Sequence, residues 1–322
     1  MALSDLKVFS QYLTEATIET VAQEIERFNG SSNNTIVLSS DGFDGDYMQE
    51  AMFASLHNAQ RRVDLNAANT SVSSTSLSQL QANSVKVAGG FGPVLWEPAT
   101  LQWIRQDEAA ALEAISRNMS EAILQDQLNT VISSIVAASE NNANVTNDIS
   151  ASSGLSQAAI NSTHAKFGDR SASLRAQVMN GQAYHKLIGE ALTNSNQLFS
   201  SEGVLIVDIL GKPVVVTDAP ALYESGTPNK IKVLSLAEMA GMVSDGGSLI
   251  TNIEQSNGKG RIETTMQADY NFGVGVKGYA WDTVNGGNSP SDAELGTGTN
   301  WDKYVTNDKD TAGVITVADA DQ

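Results

Sequence analysis

Cysteine is absent from the chain. That one absence excludes disulfides, thiolate metal centres and cysteine nucleophiles, and it fits a reducing compartment or a structure independent of redox. Histidine is scarce: His57, His164 and His185 are the only three. None has a His or carboxylate partner at metal-ligand spacing, and none stands in a G-x-S-x-G or H-E-x-x-H frame, so all three read as surface or helix-capping residues. Basic residues are also few, 19 Lys and Arg against 37 Asp and Glu, for a formal charge of −18. Such a chain repels nucleic-acid phosphates unless its basic residues cluster, and these do not. Long apolar runs are missing too: none approaches the roughly 18 residues of a membrane span. Met1-Ala2-Leu3-Ser4-Asp5 has neither the basic nor the apolar region of a secretory signal.

What is present is organised around Pro98–Glu140. Leu101, Ile104, Leu112, Ile115, Met119, Ile123, Leu124, Leu128, Val131, Ile132 and Ile135 recur at helical spacing, with polar or small residues between them. Pro98 suits a first turn, although Asp107 and Glu108 would then sit inside the helix and place the start a few residues later. Asn141, Asn142 and Asn144 supply the stop. A helix of this size spans roughly 50–60 Å and needs partners along its length, so it reads as a spine. Ile115, Met119 and Ile123 define the face expected to be buried.

Before the spine, residues 3–29 read as a helix with Leu6, Phe9, Leu13, Ile18, Val21, Ile25 and Phe28 on its apolar side. Residues 31–34 carry little to pin them, so this helix is expected to dock on a neighbouring molecule. Thr35–Leu38 reads as a short strand. Asp41, Asp44, Asp46 and Glu50 resemble a calcium loop by count, but the turn glycine and the spacing to the final Glu are wrong; a solvated acidic turn is the better reading. Residues 64–84 are polar, as expected of an extended loop projecting from the body. Val85–Trp96 returns as a strand, with Gly89-Gly90 read as a flexible hinge rather than a phosphate loop.

After the spine, the patterning predicts helices over 155–166 and 182–192, and strands over 174–179, 203–210, 213–217 and 231–236. A short helix over 236–243 follows, then strands over 248–253 and 262–266. This is a mixed α/β layout. Phe272, Val274 and Val276 alternate with glycines, and then Tyr279 and Trp281 change parity, which predicts a β-bulge at Lys277-Gly278. The bare glycine face suits close approach of the spine. Gly313–Val317 reads as a last strand. Gly211-Lys212-Pro213 lacks the Ser or Thr of a P-loop. No constellation for acid–base, nucleophilic or metal catalysis can be assembled, so no catalytic, cofactor-binding or metal-ligating residue is nominated and no enzyme activity is expected.

Three stretches carry a resemblance. Residues 165–187 combine a helix ending at Gly168-Asp169, a strand ending at Met179, and a short helix with Tyr184 and Leu187. Residues 207–218 include Gly211-Lys212-Pro213-Val214-Val215-Val216-Thr217-Asp218. Residues 278–282 and 300–302 read Gly-Tyr-Ala-Trp-Asp and Asn-Trp-Asp. In their order over most of the chain, these resemble tailed-bacteriophage major capsid proteins of the Hong Kong ninety-seven type. The resemblance implies an α+β fold with a long spine helix, an extended loop hairpin and a mixed α/β second domain. It implies an N-terminal arm (1–34), an extended loop with flanking strands (35–97), a peripheral domain (98–150 with 261–322) and an axial domain (151–260). It further implies self-assembly as hexamers and pentamers into an icosahedral head shell in the host bacterial cytoplasm. The implied partners are separate scaffolding and portal proteins and weakly held packaged double-stranded DNA, with no membrane and no cofactor. The lysine–asparagine cross-link of that fold has no support: Lys86 lies on the loop's return strand, but nothing nominates its partners. An encapsulin-type compartment shell is the alternative within the fold, and a secreted surface adhesin the alternative outside it.

Overall fold

The computed structural model describes residues 3–42, 47–53, 61–66, 68, 71, 79–97, 102, 106–193, 211–246, 248–257 and 260–322. Among these, the chain forms an eight-stranded sheet and a six-stranded sheet. The first contains β1 (Ile36–Gly42), β2 (Tyr47–Phe53) and β3 (Gln79–Trp96) from the N-terminal part. The second contains β4 (Thr146–Asp148), β5 (Leu174–Met179), β6 (Val214–Val216), β7 (Tyr223–Glu224) and β8 (Lys230–Ala237). The chain then returns to the first sheet for β9 (Gly241–Asp245), β10 (Ile250–Ser256), β11 (Glu263–Val276), β12 (Tyr279–Trp281) and β13 (Trp301–Lys303). It closes in the second with β14 (Gly313–Asp319).

The centre of the first sheet is β11, which pairs antiparallel with β3 along one side and with β10 and β9 along the other. Its even-numbered residues, from Thr264 and Met266 to Val274 and Val276, are buried, whereas Gln267 and Asp269 on the opposite face are exposed. The period of two puts every second side chain on one face, and two helices cover that face. The longer is α2 (Glu108–Glu140), at 33 residues about 50 Å in length. It starts at Glu108 and not at Pro98, because the Asp107 carboxylate accepts the Ala110 N–H at 3.1 Å and caps the first turn. Residues 98–101 and 103–105 lie outside the described residues.

Ile123, Val131, Ile132 and Ile135 of α2 share one core with Phe272, Val274, Val276, Tyr279, Trp281 and Trp301. The helix therefore meets the apolar side of β11 and not its glycine side. Gly275 instead faces Ser84, where an added Cβ would lie 2.5 Å from the hydroxyl oxygen. The close approach to α2 falls at Gly241, where a Cβ would lie 2.6 Å from Val131 Cγ2. The same core takes in Val178, Leu234 and Ile315 from the second sheet, so α2 joins the two sheets.

The shorter-range surprise is α1 (Leu3–Ser31), which is seated on its own chain. Phe9 and Leu13 are buried with Trp96, Met119, Ile253 and Met266. The linker is pinned as well. The Asn29 side chain donates to the Leu38 carbonyl at 2.7 Å and accepts the Leu38 N–H at 2.9 Å, and Asn34 N–H bonds back to the Asn29 carbonyl. A polar linker read as loose is thus closed by an amide side chain that imitates a neighbouring strand.

Three local expectations are corrected. Residues 236–243 are not a helix: β8 runs to Ala237, Glu238-Met239 turn, and β9 pairs with β1 in parallel and β11 in antiparallel register. Strand pairing on both sides overrides the helix propensity of Leu, Ala, Glu and Met. Lys277-Gly278 is a two-residue hairpin turn joining β11 to β12, with Val276 opposite Tyr279 and Gly278 at φ +82°. A turn of two residues changes parity just as a bulge does, so the pattern alone could not separate them. Gly89 is no hinge, since β3 runs continuously through it and a Cβ there would lie 2.7 Å from the Tyr270 ring. The register shift in β3 falls instead at Gly92-Pro93, opposite Gln267.

The second sheet has the order β4-β14-β8-β5-β6, with β7 on β8. Helix α3 (Gln157–Ala165), capped by Ser156, and helix α4 (Gly181–Thr193) accompany it. Ile160, Leu187, Met179, Ile231, Val233 and Ala318 form a core of their own. A four-residue helix, α5 (Asp292–Leu295), carries a capping box between Ser291 and Glu294. The strand expected over 203–210 lies outside the described residues.

Candidate assembly surfaces

The most prominent surface is a two-stranded stem. Tyr47–Phe53 of β2 pairs antiparallel with Gln79–Val85 of β3, whose remaining length is built into the sheet beside β11. The stem is therefore an extension of a strand anchored in the core. Between its two strands, residues 61–66 are exposed throughout, with Val63 60% and Leu65 91% exposed beside Arg61 and Arg62. Exposed apolar side chains next to a basic pair, on an acidic molecule, are features of a contact surface. On the face of the first sheet away from the helices, Ala88, Gly90, Ser248, Ile250, Asp269 and Asn271 line an open trough of about 430 Å³. Gly89 and Tyr270 complete its lining, so Asp269 and the Tyr270 phenol are the ionisable groups beside it.

The ionisable groups within the fold hold elements together. Lys232, almost buried on β8, bonds Glu140 at the end of α2 at 2.8 Å and Glu224 on β7 at 3.1 Å. The Lys232 hydrogen bond holds the Glu224 carboxyl below its ordinary value. Tyr270 donates its hydroxyl to Asp126 at 2.7 Å, fastening β11 to α2. Burial raises the Asp126 carboxyl against the lowering effect of that bond, and burial followed by Asp126 raises the Tyr270 phenol. Burial pushes Asp308 up, but Lys303, Asn142 and Asn144 together outweigh it and leave the carboxyl low. Lys309 pairs with Asp169, and Arg170 with Asp310, tying the loop before β14 to the turn after α3.

The residues singled out from the sequence do not converge. His57 lies outside the described residues, as do the side chains of Asp41, Asp44, Asp46 and Glu50. His185 is exposed beside the Tyr184 ring. His164 is the correction: it is 6% exposed, on α3, with Nε2 2.8 Å from Ser235 Oγ. Burial, with Lys212 adding to it, lowers its pKa to about 4. Its sequence neighbours, Thr163 and Ala165, gave no signal of burial. Lys212 donates to the Ser171 and Leu174 carbonyls and so stabilises a turn instead of binding phosphate. Lys86 sits half-buried on β3 opposite Gly273. Among the described residues no group of three or more His, Cys, Asp or Glu side chains gathers where it could hold a metal ion, and no helix is long and apolar enough to cross a membrane.

A stem that leaves the body on a core strand, a long helix shared by two sheets, and an N-terminal helix laid along them define a viral shell subunit of the Hong Kong ninety-seven type. A family model described as Gp13-like, major capsid protein 13-like, matches residues 5–315. The chain belongs to that family: it is the major capsid protein of a tailed bacteriophage, a structural component of the virion that assembles with its own copies. Among solved structures it is similar to the capsid asymmetric unit of cyanophage Pam1, at 14% identity, 88% coverage of each chain and a TM-score of 0.53. It is also similar to the structure from Mycobacterium phage Cain, at 8% identity, 88% coverage of each chain and a TM-score of 0.51. Mycobacterium phage Adephagia gives 8% identity, 88% coverage of this chain and 87% of its own, with a TM-score of 0.51. At these identities the likeness shows the fold. Comparison with curated proteins finds no match. The encapsulin and adhesin alternatives find no support in these relatives.

Proposed function

We propose that the chain forms hexamers and pentamers of a closed icosahedral head, assembled in the host bacterial cytoplasm around a scaffolding protein and a portal, and enclosing double-stranded DNA. The observation that carries this reading is the β2–β3 hairpin stem, which continues a strand of the core sheet, together with the exposed Arg61, Arg62, Val63 and Leu65 in the segment between its strands. Residues 1–34 act as the arm and 35–97 as the extended loop. Residues 98–150 with 261–322 form the peripheral part and 151–260 the axial part, although by pairing β9 and β10 belong to the first sheet and β14 to the second. Binding energy comes from many subunit contacts, and among the described residues no metal-binding cluster gathers. The acidic balance keeps contact with packaged DNA weak and non-specific.

Electron microscopy and analytical ultracentrifugation of the purified protein test the assembly. Rings or closed shells are the expected result. A stable monomer at high concentration with scaffold present would overturn it.

A further inference from the structure

Arg61 and Arg62 stand side by side in a stretch that belongs to no helix, strand or turn, and every residue from Arg61 to Asn66 is exposed. Among the described residues every other Lys and Arg lies within a helix or strand, or bonds a carboxylate or a backbone carbonyl. Arg261, also outside the strands, is held by Glu97 at 2.8 Å. An endoprotease must draw several successive residues into its cleft with their backbone groups free, which a helix or a paired strand denies it. Beyond the pair, Asp64 accepts the Asn66 N–H at 2.9 Å, a local exposed bond that water replaces at little cost. The fold is also arranged to survive a cut at this place, because three separate sets of contacts join residues 3–53 to the rest. Phe9 and Leu13 of α1 are buried with Trp96, Met119 and Ile253. Strand β1 pairs in parallel with β9 from Ile36 onward. Strand β2 pairs with β3 along all of its 7 residues. None of these contacts runs through residues 61–66.

We infer that the Arg61-Arg62 pair is a cleavage site for an endoprotease of trypsin-like specificity, one whose recognition pocket sets a carboxylate against an arginine guanidinium. Water adds across one peptide bond, after Arg61 or after Arg62. The C–N bond breaks, the arginine on its N-terminal side gains a carboxylate, and the next residue, Arg62 or Val63, gains a free amine. No cofactor or second reactant is consumed. The product is a two-chain subunit. Its first chain carries α1, β1 and β2, its second carries everything from β3 onward, and the contacts just described hold them as one body. A chain with 19 basic residues and a formal charge of −18 offers few such positions, and this one is marked by its charge as well as by its exposure. The inference concerns the single subunit and does not depend on the shell-forming reading.

The test uses the purified, unassembled full chain and trypsin at a low ratio of protease to substrate, with the earliest products weighed by mass spectrometry. The expected result is two fragments, the first ending at Arg61 or Arg62 and the second beginning at Arg62 or Val63. They should elute together in native size exclusion, keep the far-ultraviolet circular dichroism of the intact chain, and part only in denaturant. Arg61→Gln with Arg62→Gln should lose this cut. Because both side chains are exposed, the double variant should unfold at the same denaturant midpoint as the parent, which separates a lost recognition site from a disturbed fold. Earliest cuts at other lysines or arginines, or a double variant nicked in this stretch as fast as the parent, would overturn the site. Fragments that part without denaturant would overturn the two-chain subunit.

Discussion

Ile123 and Glu121 stand two residues apart on α2 and have opposite fates. Ile123 is 5% exposed in the core with Phe272, while Glu121 is exposed and paired only with Arg117, one turn away. Ile123→Ala is expected to cost about 2–5 kcal/mol, and Glu121→Ala to stay within roughly 0.5 kcal/mol. Chemical denaturation of the unassembled subunit measures both, and equal midpoints would mean that the helix buries another face. His164 gives a pH dependence. Its folded pKa, about 4, lies below its ordinary value of 6.5, so the unfolded chain binds the extra proton between them. Stability contributed by the neutral ring is complete above pH 6.5 and is lost as pH falls towards 4, a change on the order of 3 kcal/mol. His164→Gln should flatten that slope in denaturation midpoints measured across this range; an unchanged slope would assign it to other groups. The helical stripe was legible because periodicity reports a face. The histidine was not, because a single residue has no period and its partner, Ser235, lies 71 positions away.

Elements were legible where patterns were long. The strands at 174–179 and 231–236, the helix at 182–192 and the last strand are all found, as β5, β8, α4 and β14. Where two local solutions produce the same pattern, the sequence did not decide between them. Parity at Lys277-Gly278 fits a bulge or a two-residue turn, and only the pairing of Val276 with Tyr279 selects the turn. The seat of α1 was misjudged for a related reason: a polar linker looks loose until the Asn29 amide is seen bonding both sides of Leu38. The consequence can be measured. Phe9 is 1% exposed and packs edge-on to Trp96, so Phe9→Ala should destabilise the isolated subunit by about 3–5 kcal/mol. A helix that made no contact within its own chain would leave the midpoint unchanged. Gly241→Ala tests the other close contact, since its methyl must displace Val131 or Ile135. A loss of about 1–3 kcal/mol is expected, relieved when Val131→Ala is added to make room.

At the scale of the whole molecule, charge opposes what the surfaces promote. Each chain carries a formal −18, and subunits brought together in a shell repel one another over distances that salt shortens, with a Debye length of about 10 Å at 0.1 M. The two-sheet body with its stem was legible as a fold class from the order of its motifs. The contact surfaces were less so, because complementarity between copies is a property of shape and leaves no period in one chain. The charge does leave a testable consequence. The exposed side chains of Val63 and Leu65 are apolar, so their burial between copies would gain from added salt, while the general repulsion is screened by it. Assembly followed by light scattering should therefore start at a lower subunit concentration as salt rises from about 0.01 to 0.5 M, where screening shortens the Debye length severalfold. Were assembly instead driven mainly by Arg61 and Arg62 pairing with acidic groups of a neighbour, salt would raise that threshold, and Arg61→Ala with Arg62→Ala would abolish the dependence. A threshold that falls with salt and survives the double substitution identifies apolar burial as the driving force and the net charge as its opponent.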